Sequence, residues 1–511
     1  MERNRWIITT IMLFLALAMM VSLAAGCSGK EESGGAAPTR QSRIPISMVI
    51  NDLGMTFPDG MDENDNPYVS YIEEQTGLDL RVSIPPEEVY EEKLNVIMAS
   101  GKLPDLIHSF NPVWFDEYVK KGAFLPLDDY IDQYGKDLLE LIPEEAWDRV
   151  RHNGKIYGIP SLTDVPGIEL MYVRKDWLDN LGLKPPTTLE EYYEVIRAFA
   201  KDDPDRNGLN DTMGLILLED MGRTAPFFGA FGVQLNSWVE RDGKLVNGST
   251  LPETKEALAF LAKLYREGLI DQEFPLNRNN VFLEKIANGQ VGMFSAAWYD
   301  TRGPIALNKN KDPKAEWMPL PYPVGPEGHS GVYSKDIIRG YNVVPVGTDY
   351  AAEVVKLLNF IVGEGRETLK LGFQGDIWSM EDGVMVTDFA EHDKHLYRGI
   401  YQSLVDVLDP VMNKARLDSL GDFHLFENLQ IIEKNVIHNE FYGTPTPAMS
   451  KYAGHLEELQ GIFTQIVMGI VPLDEFDAFV ERWYSQGGAE VTAEVNQWRE
   501  ARLRGAGGES Q

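Results

Sequence analysis

Cysteine is almost absent: Cys27 is the only one in 511 residues, so no intramolecular disulfide can form or compete for that thiol. Positive charge is scarce as well. Against 47 Lys+Arg stand 79 Asp+Glu, a formal net charge of -32. Such a surface repels phosphate backbones and speaks against nucleic acid as a partner, although a local pocket can differ from the whole. Catalytic signatures are missing too: there is no Gly-x-Ser-x-Gly elbow, no His-Glu-x-x-His zinc pair and no Walker loop. No repeat occurs at solenoid or propeller spacing. Glu391-His392-Asp393-Lys394-His395 sets two imidazoles at helix spacing but offers no third metal ligand, so it reads as surface. A glycosidase pair of carboxylates has no motif here, but counting cannot exclude one, because separation in space decides it.

What is present points to more than one core. The length exceeds what one compact core fills, and 43% hydrophobic residues with 10 Trp supply enough material for two. Arg3 and Arg5 precede an apolar run over 6–21, followed by Ser22-Leu23-Ala24-Ala25-Gly26-Cys27. Small residues packed before a cysteine suit cleavage ahead of a lipid-modified Cys27, so 1–26 reads as a signal peptide and 27–43 as a flexible tether. Apolar patterning then predicts a strand over 44–50, a helix over 68–75, a strand over 78–84, a helix over 87–100 and a strand over 106–109. That alternation is the signature of an open α/β sheet. Ligands of such sheets bind beyond the carboxyl ends of strands, which makes Phe110, Asn111 and Trp114 candidate cleft residues.

The stretch 171–215 is dense in local signals. Asp176 is placed to cap a short helix that Gly182 ends, and Pro185 and Pro186 forbid its continuation. Thr188 with Glu191 is a capping-box pattern, and Leu189, Tyr192, Tyr193, Ile196 and Phe199 follow at helical spacing. Next, Asp203, Asp205, Asn207, the Leu209 carbonyl and Asp211 place oxygen donors at alternate positions around a turn at Gly208, a pattern that suits a structural calcium ion. The loop departs from an EF-hand in having Gly214 where the twelfth-position Glu belongs. Further helices are predicted over 254–268, 280–287 and 349–361, with extended chain over 317–324 and 340–345 and largely helical chain from 396 on. Arg174 and Asp164 read as structural salt-bridge formers.

Segments 94–106, 122–131, 153–160, 171–215, 289–299 and 373–378 resemble, in order, landmarks of the extracellular solute-binding lipoproteins of carbohydrate ABC importers. The 171–215 stretch is most similar to the branch that includes alginate-oligosaccharide-binding proteins, departing from it in having Thr212 where that group has a second acidic ligand. The resemblance implies an α/β, two-lobed, periplasmic-binding-protein-like fold of type II style, with a helix-rich second lobe and a hinge. Expected boundaries are 44–165 and 322–380 for the first lobe, 166–321 and 381–505 for the second, and a disordered tail over 506–511. It also implies acylation of Cys27 with palmitate-type chains, a place on the extracellular face of a bacterial membrane, and a monomer that delivers an oligosaccharide to an ABC permease without breaking a bond.

Sugars present polar rims and apolar C–H faces, so their sites pair flat aromatics with carboxylates and amides. The resemblance places Trp298 and Trp378 where relatives stack a sugar ring, with Tyr341, Asp376, Trp114, Asn111 and Tyr299 as further substrate-binding candidates. Two other readings stay open: a surface-anchored carbohydrate-active enzyme, and a binding protein for a non-sugar solute such as a peptide.

Overall fold

The computed structural model describes residues 43–506 except Asp164, Pro166, Ile168, 298–300, Arg302, Asp422, Phe423 and Thr444. Its two main sheets use nine strands: β1 (Ile44–Val49), β2 (Leu78–Ser83), β3 (Leu106–Ser109), β4 (Ile159–Leu162), β5 (Glu169–Arg174), β6 (Met213–Ile216), β7 (Val291–Ala297), β8 (Trp317–Leu320) and β9 (Ile338–Val343). The first sheet has the order β2-β1-β3-β9-β4, with β1 and β3 parallel and β9 antiparallel to both β3 and β4. The second has the order β8-β5-β7-β6, with β7 parallel to β6 and antiparallel to β5. Strands β5 and β7 are buried along their whole length, as expected of strands covered on both faces.

Local chemistry explains most helix ends. The helix Pro67–Thr76 begins under Asn66, whose side chain accepts from the Tyr68 and Val69 amides, and stops at Gly77 with φ of 71°. Leu189–Lys201 carries the expected capping box, Thr188 and Glu191 satisfying each other's backbone N–H, and buries Leu189, Tyr192, Ile196 and Phe199. Asp176 departs from its expected role. The helix Lys175–Leu181 starts after Arg174 with no side-chain cap. The Asp176 carboxylate instead accepts from Arg174 at 2.8 and 2.6 Å, because a bidentate guanidinium is a stronger partner than a lone backbone amide. Arg174 is itself buried and lies over the Trp177 ring at 4.7 Å, the structural role expected of it. Asp164 lies outside the described residues.

Two hydrophobic cores result. One gathers residues from Ile46 to Leu162 and from Ile338 to Val407 around the first sheet. The other gathers residues from Val165 to Val332 and from Leu417 to Val495 around the second. The chain therefore passes between cores after Leu162, after Val332 and after Val407. These transitions differ from the boundaries expected at 322 and 380. Tyr322 stays with the second core because its hydroxyl donates to the Glu169 carbonyl at 2.5 Å. Tyr397 to Val407 join the first core because Leu162 N–H donates to the Asp406 carbonyl at 2.9 Å and the Asn342 amide to that of Leu404 at 2.6 Å. Among the described residues, no helix is long and apolar enough to cross a membrane.

Candidate functional site

Among the described residues, two cavities are walled from both cores, where chain leaves or enters the first sheet. Pro112 follows β3, Met55 follows β1, and Arg339 opens β9, so both sit at the sheet edge where α/β folds hold ligands. The smaller, about 160 Å³, is walled by Arg149, Asp336 and Tyr341 on the first-core side and by Tyr442, Trp498 and Arg502 on the other. Arg149 pairs with Asp336 and with Glu145, and its guanidinium lies 4.8 Å over the Tyr442 ring. Arg502 covers the same ring at 4.4 Å, while Trp498 meets it edge-on at 5.1 Å. Aromatic faces, acids and guanidinium groups at one place are the mixture that recognises C–H faces and hydroxyls together.

The larger cavity, about 270 Å³, is different in kind. Arg339, Lys370, His392, Arg398 and Arg416 face it with one carboxylate, Asp406, and its apolar lining is aliphatic. Lys370 and Asp406 form a buried pair at 2.9 Å, so that acid is already engaged. Arg398 is 4% exposed; burial pushes its pKa down to about 10, which leaves it protonated at neutral pH. His392, expected at the surface, is buried and 3.1 Å from Asp393, because the short helix Phe389–Lys394 turns that face inward. No cluster of three or more His, Cys, Asp or Glu suited to a metal occurs among the described residues.

The predicted contacts fall in several places. Tyr341 reaches the smaller cavity, with its ring stacked on Phe115 at 4.8 Å and burial raising its phenol pKa. Asn111 caps the helix Pro112–Lys120, its side chain accepting from the Val113 and Trp114 amides. Trp114 is buried against Tyr118 and Phe124. Phe110 is half-buried, with the Arg339 guanidinium 5.9 Å over its ring. Trp378 is buried in the first core and donates from its indole to the Gly372 carbonyl at 2.9 Å, and Asp376 is exposed nearby. Neither Trp378 nor Asp376 lines either cavity. Trp298 and Tyr299 lie outside the described residues, as does Cys27.

Sequence reasoning missed Tyr442, Trp498 and the arginines. Arg339 had a readable neighbour in Tyr341, but a register irregularity between Ile338 and Gly340 falls on it, and bulges re-aim side chains in ways that period-2 patterning does not anticipate. Tyr442 and Trp498 follow only from long-range packing, so no local signal marks them.

At the 203–211 loop, the Asp203 carboxylate accepts from Asn207 and Gly208 N–H at 3.1 Å each. The Asn207 amide donates to Asp205 at 2.8 Å and to Asp211 at 3.2 Å, and its oxygen accepts from Leu209 N–H. Partial burial, then the neighbouring carboxylates, raise the Asp205 pKa. Gly208 takes φ of 79°, the turn the pattern requires. Thr212 points away and donates to the Phe199 carbonyl at 2.8 Å. The loop therefore carries the ligand types and the turn, closed here upon the Asn207 amide.

The profile of the family described as bacterial extracellular solute-binding protein matches residues 59–366. The chain is 26% identical to lipoprotein LipO of Bacillus subtilis (strain 168), over 94% of this chain and 97% of LipO. It is also 26% identical to the polygalacturonan/rhamnogalacturonan-binding protein YtcQ of the same organism, over 97% and 98% of the two chains. Among solved structures, the Streptococcus pneumoniae ABC-transporter substrate-binding protein FusA in complex with kestose matches with a TM-score of 0.70 and 19% identity, over 90% of this chain and all of that one. An EF-hand mutant of FusA matches equally well, and the alginate-binding protein AlgQ2 without calcium ion matches with a TM-score of 0.66, at 19% identity over 90% of this chain and 98% of that one. The fold is thus the two-lobed α/β one of solute-binding proteins. With the family profile spanning more than half of its length, this chain belongs to the bacterial extracellular solute-binding proteins.

Proposed function

We propose that the protein captures an extracellular oligosaccharide between its two lobes and delivers it to an ABC permease. The observation that carries this reading is the pair of cavities walled from both cores, one of them offering Tyr341, Tyr442 and Trp498 beside charged groups. Relatives named for binding polygalacturonan and kestose support the substrate class. A ligand touching both lobes stabilises the conformation in which both touch it, and the three chain crossings serve as the hinge. The permease reads that closed form, and no bond in the sugar is broken. Trp298 and Tyr299 are proposed as further stacking groups.

Two features of the chain complete the proposal. The Ser22-Leu23-Ala24-Ala25-Gly26-Cys27 pattern supports lipid anchoring through Cys27 at the outer face of the membrane. Asp203, Asp205, Asn207, the Leu209 carbonyl and Asp211 are proposed to hold a structural calcium ion, which supplies the positive charge that clustered carboxylates lack.

The test is thermal unfolding of the protein against saccharide and peptide panels, because a ligand of the native state raises the melting temperature by mass action. Saccharides are expected to stabilise. Stabilisation by peptides alone would overturn the substrate class, and release of shorter sugars during incubation would overturn binding without catalysis.

A further inference from the structure

The larger interlobe cavity concentrates positive charge in a protein whose formal net charge is -32. Four permanent cations face it, Arg339, Lys370, Arg398 and Arg416, against the single acid Asp406, and Lys370 takes that acid at 2.9 and 3.0 Å. Arg339 and Arg398, both on the first-core side, form no ion pair among the described residues.

Arg398 is held on one side only. Its Nε donates to the Lys370 carbonyl at 3.3 Å and its Nη1 to the His395 carbonyl at 2.8 Å, which fixes the plane of the group. Neither of these hydrogen-bond partners carries a charge; the Asp393 carboxylate attracts the buried guanidinium and Arg416 repels it through space, and no carboxylate pairs with it directly among the described residues. A desolvated cation of this kind is costly to keep unless an anion completes it. The Arg339 side chain makes no hydrogen bond or ion pair among the described residues; its guanidinium lies 5.9 Å over the Phe110 ring and acts through space on the neutral His108. The irregularity at its strand position sets it apart from the regular ladder.

The walls exclude the simpler reading of a neutral sugar subsite. The apolar lining is aliphatic, contributed by Met55, Leu369, Leu396, Leu417, Leu420 and Leu425, and no Trp, Tyr or Phe lines it. A pyranose ring finds no stacking face there, whereas the aromatic residues stand around the neighbouring cavity. At about 270 Å³ the space is near the lower end of small-ligand pockets, enough for one compact acidic unit.

We propose that this cavity is an anion subsite that selects carboxylate-bearing saccharides, with Arg339 and Arg398 as the groups that receive the carboxylate. The proposal rests on the oligosaccharide reading above and sharpens it. Guanidinium forks match the two oxygens of a carboxylate, and at the buried Arg398 such a pair is stronger than it would be in bulk water. The first lobe's two arginines then grip the acid while Leu417, Leu420 and Leu425 of the second lobe close over it.

The experiment uses the full-length protein in detergent and measures binding by calorimetry. The probes are trigalacturonate, its methyl ester, a neutral galacto-oligosaccharide of the same length, sodium acetate and sodium sulfate. The expected result is at least tenfold tighter binding of trigalacturonate than of the ester, a loss of affinity with added salt, and at least tenfold weaker trigalacturonate binding in R339Q. Arg339 is half-exposed, so R339Q is expected to keep the wild-type melting temperature, and R339K serves as a second variant with the charge kept but the fork removed. Equal affinity for acid and ester, or an R339Q variant that binds trigalacturonate as the wild type does, would overturn the acid subsite while leaving neutral saccharide capture intact. Acetate or sulfate matching trigalacturonate with the same dependence on Arg339 would reduce the site to a free-anion site and overturn the saccharide assignment. Failure of every saccharide to bind would overturn both this proposal and the one it rests on.

Discussion

His108 sits wholly inside the first core, its Nδ1 2.9 Å from the Asn342 side-chain oxygen. Gly340 lies flat against the ring: a Cβ there would come within 2.4 Å of Cε1, so the glycine makes room for the imidazole. Burial, opposed in part by the Asn342 hydrogen bond, pushes the pKa from 6.5 down to about 4. Between those values the unfolded chain takes up a proton that the folded one refuses, so stability falls as pH drops through that window and levels off below it. The shift corresponds to about 3 kcal/mol, at 1.36 kcal/mol per pKa unit. His108→Gln, which keeps a hydrogen-bonding side chain at this position, is expected to flatten the pH dependence of the urea midpoint between pH 7 and pH 4. An unchanged slope would contradict this assignment. Residues of this kind were invisible in the sequence, where His108 is one member of an apolar run and nothing marks its contact with Asn342, 234 positions away.

At the scale of elements, much was legible because the signals are local. Thr188 and Glu191 announce a helix start by chemistry that needs only four residues, and the helix Leu189–Lys201 follows with its apolar stripe buried. Thr188→Ala is expected to cost about 1 kcal/mol in urea unfolding, the usual value of an N-cap. Strand β2 was readable for the same reason, since the alternation of Leu78, Leu80 and Val82 is a property of neighbours, and β1 and β3 were readable as short apolar runs. Asp176 shows the limit: its cap pattern was correct as chemistry, but Arg174 offered a stronger partner. Arg339 shows another, since a strand irregularity shifts a side chain without altering the residue types around it. For the 203–211 loop, removal of calcium by chelator is expected to lower the melting temperature of the wild type. Asp203→Ala should remove that dependence and leave oligosaccharide affinity within about threefold. A chelator response that persists in the variant would place the ion elsewhere.

For the whole molecule, the division into cores sets how ligand and stability couple. A saccharide at 100 times its dissociation constant is expected to add about 2.7 kcal/mol to unfolding, if it binds only the native state. Closure about the crossings after Leu162, Val332 and Val407 should also shrink the particle, seen as a smaller radius of gyration in solution scattering with ligand than without. Ligand binding without that change would mean that capture does not move the lobes. The composition pointed to two cores, and the order of sequence landmarks to their lobed arrangement. The return of 397–407 to the first core was not legible, because helical periodicity does not say which core a helix joins.

The position of β9 in the middle of the first sheet has a consequence for how the chain assembles. β3 and β4 are both made early, yet they do not pair with each other, because β9 lies between them. Until residues 338–343 have been synthesised, the sheet stays split, with two open edges facing a gap. The second core waits still longer, since it draws on residues as late as Val495. Neither lobe can therefore be finished from the front of the chain, and the contacts that complete each are far apart in sequence, which slows folding. The nascent polypeptide consequently remains incompletely folded until almost all of it has been made, in need of protection from its own unpaired edges, and susceptible for that interval to being threaded elsewhere.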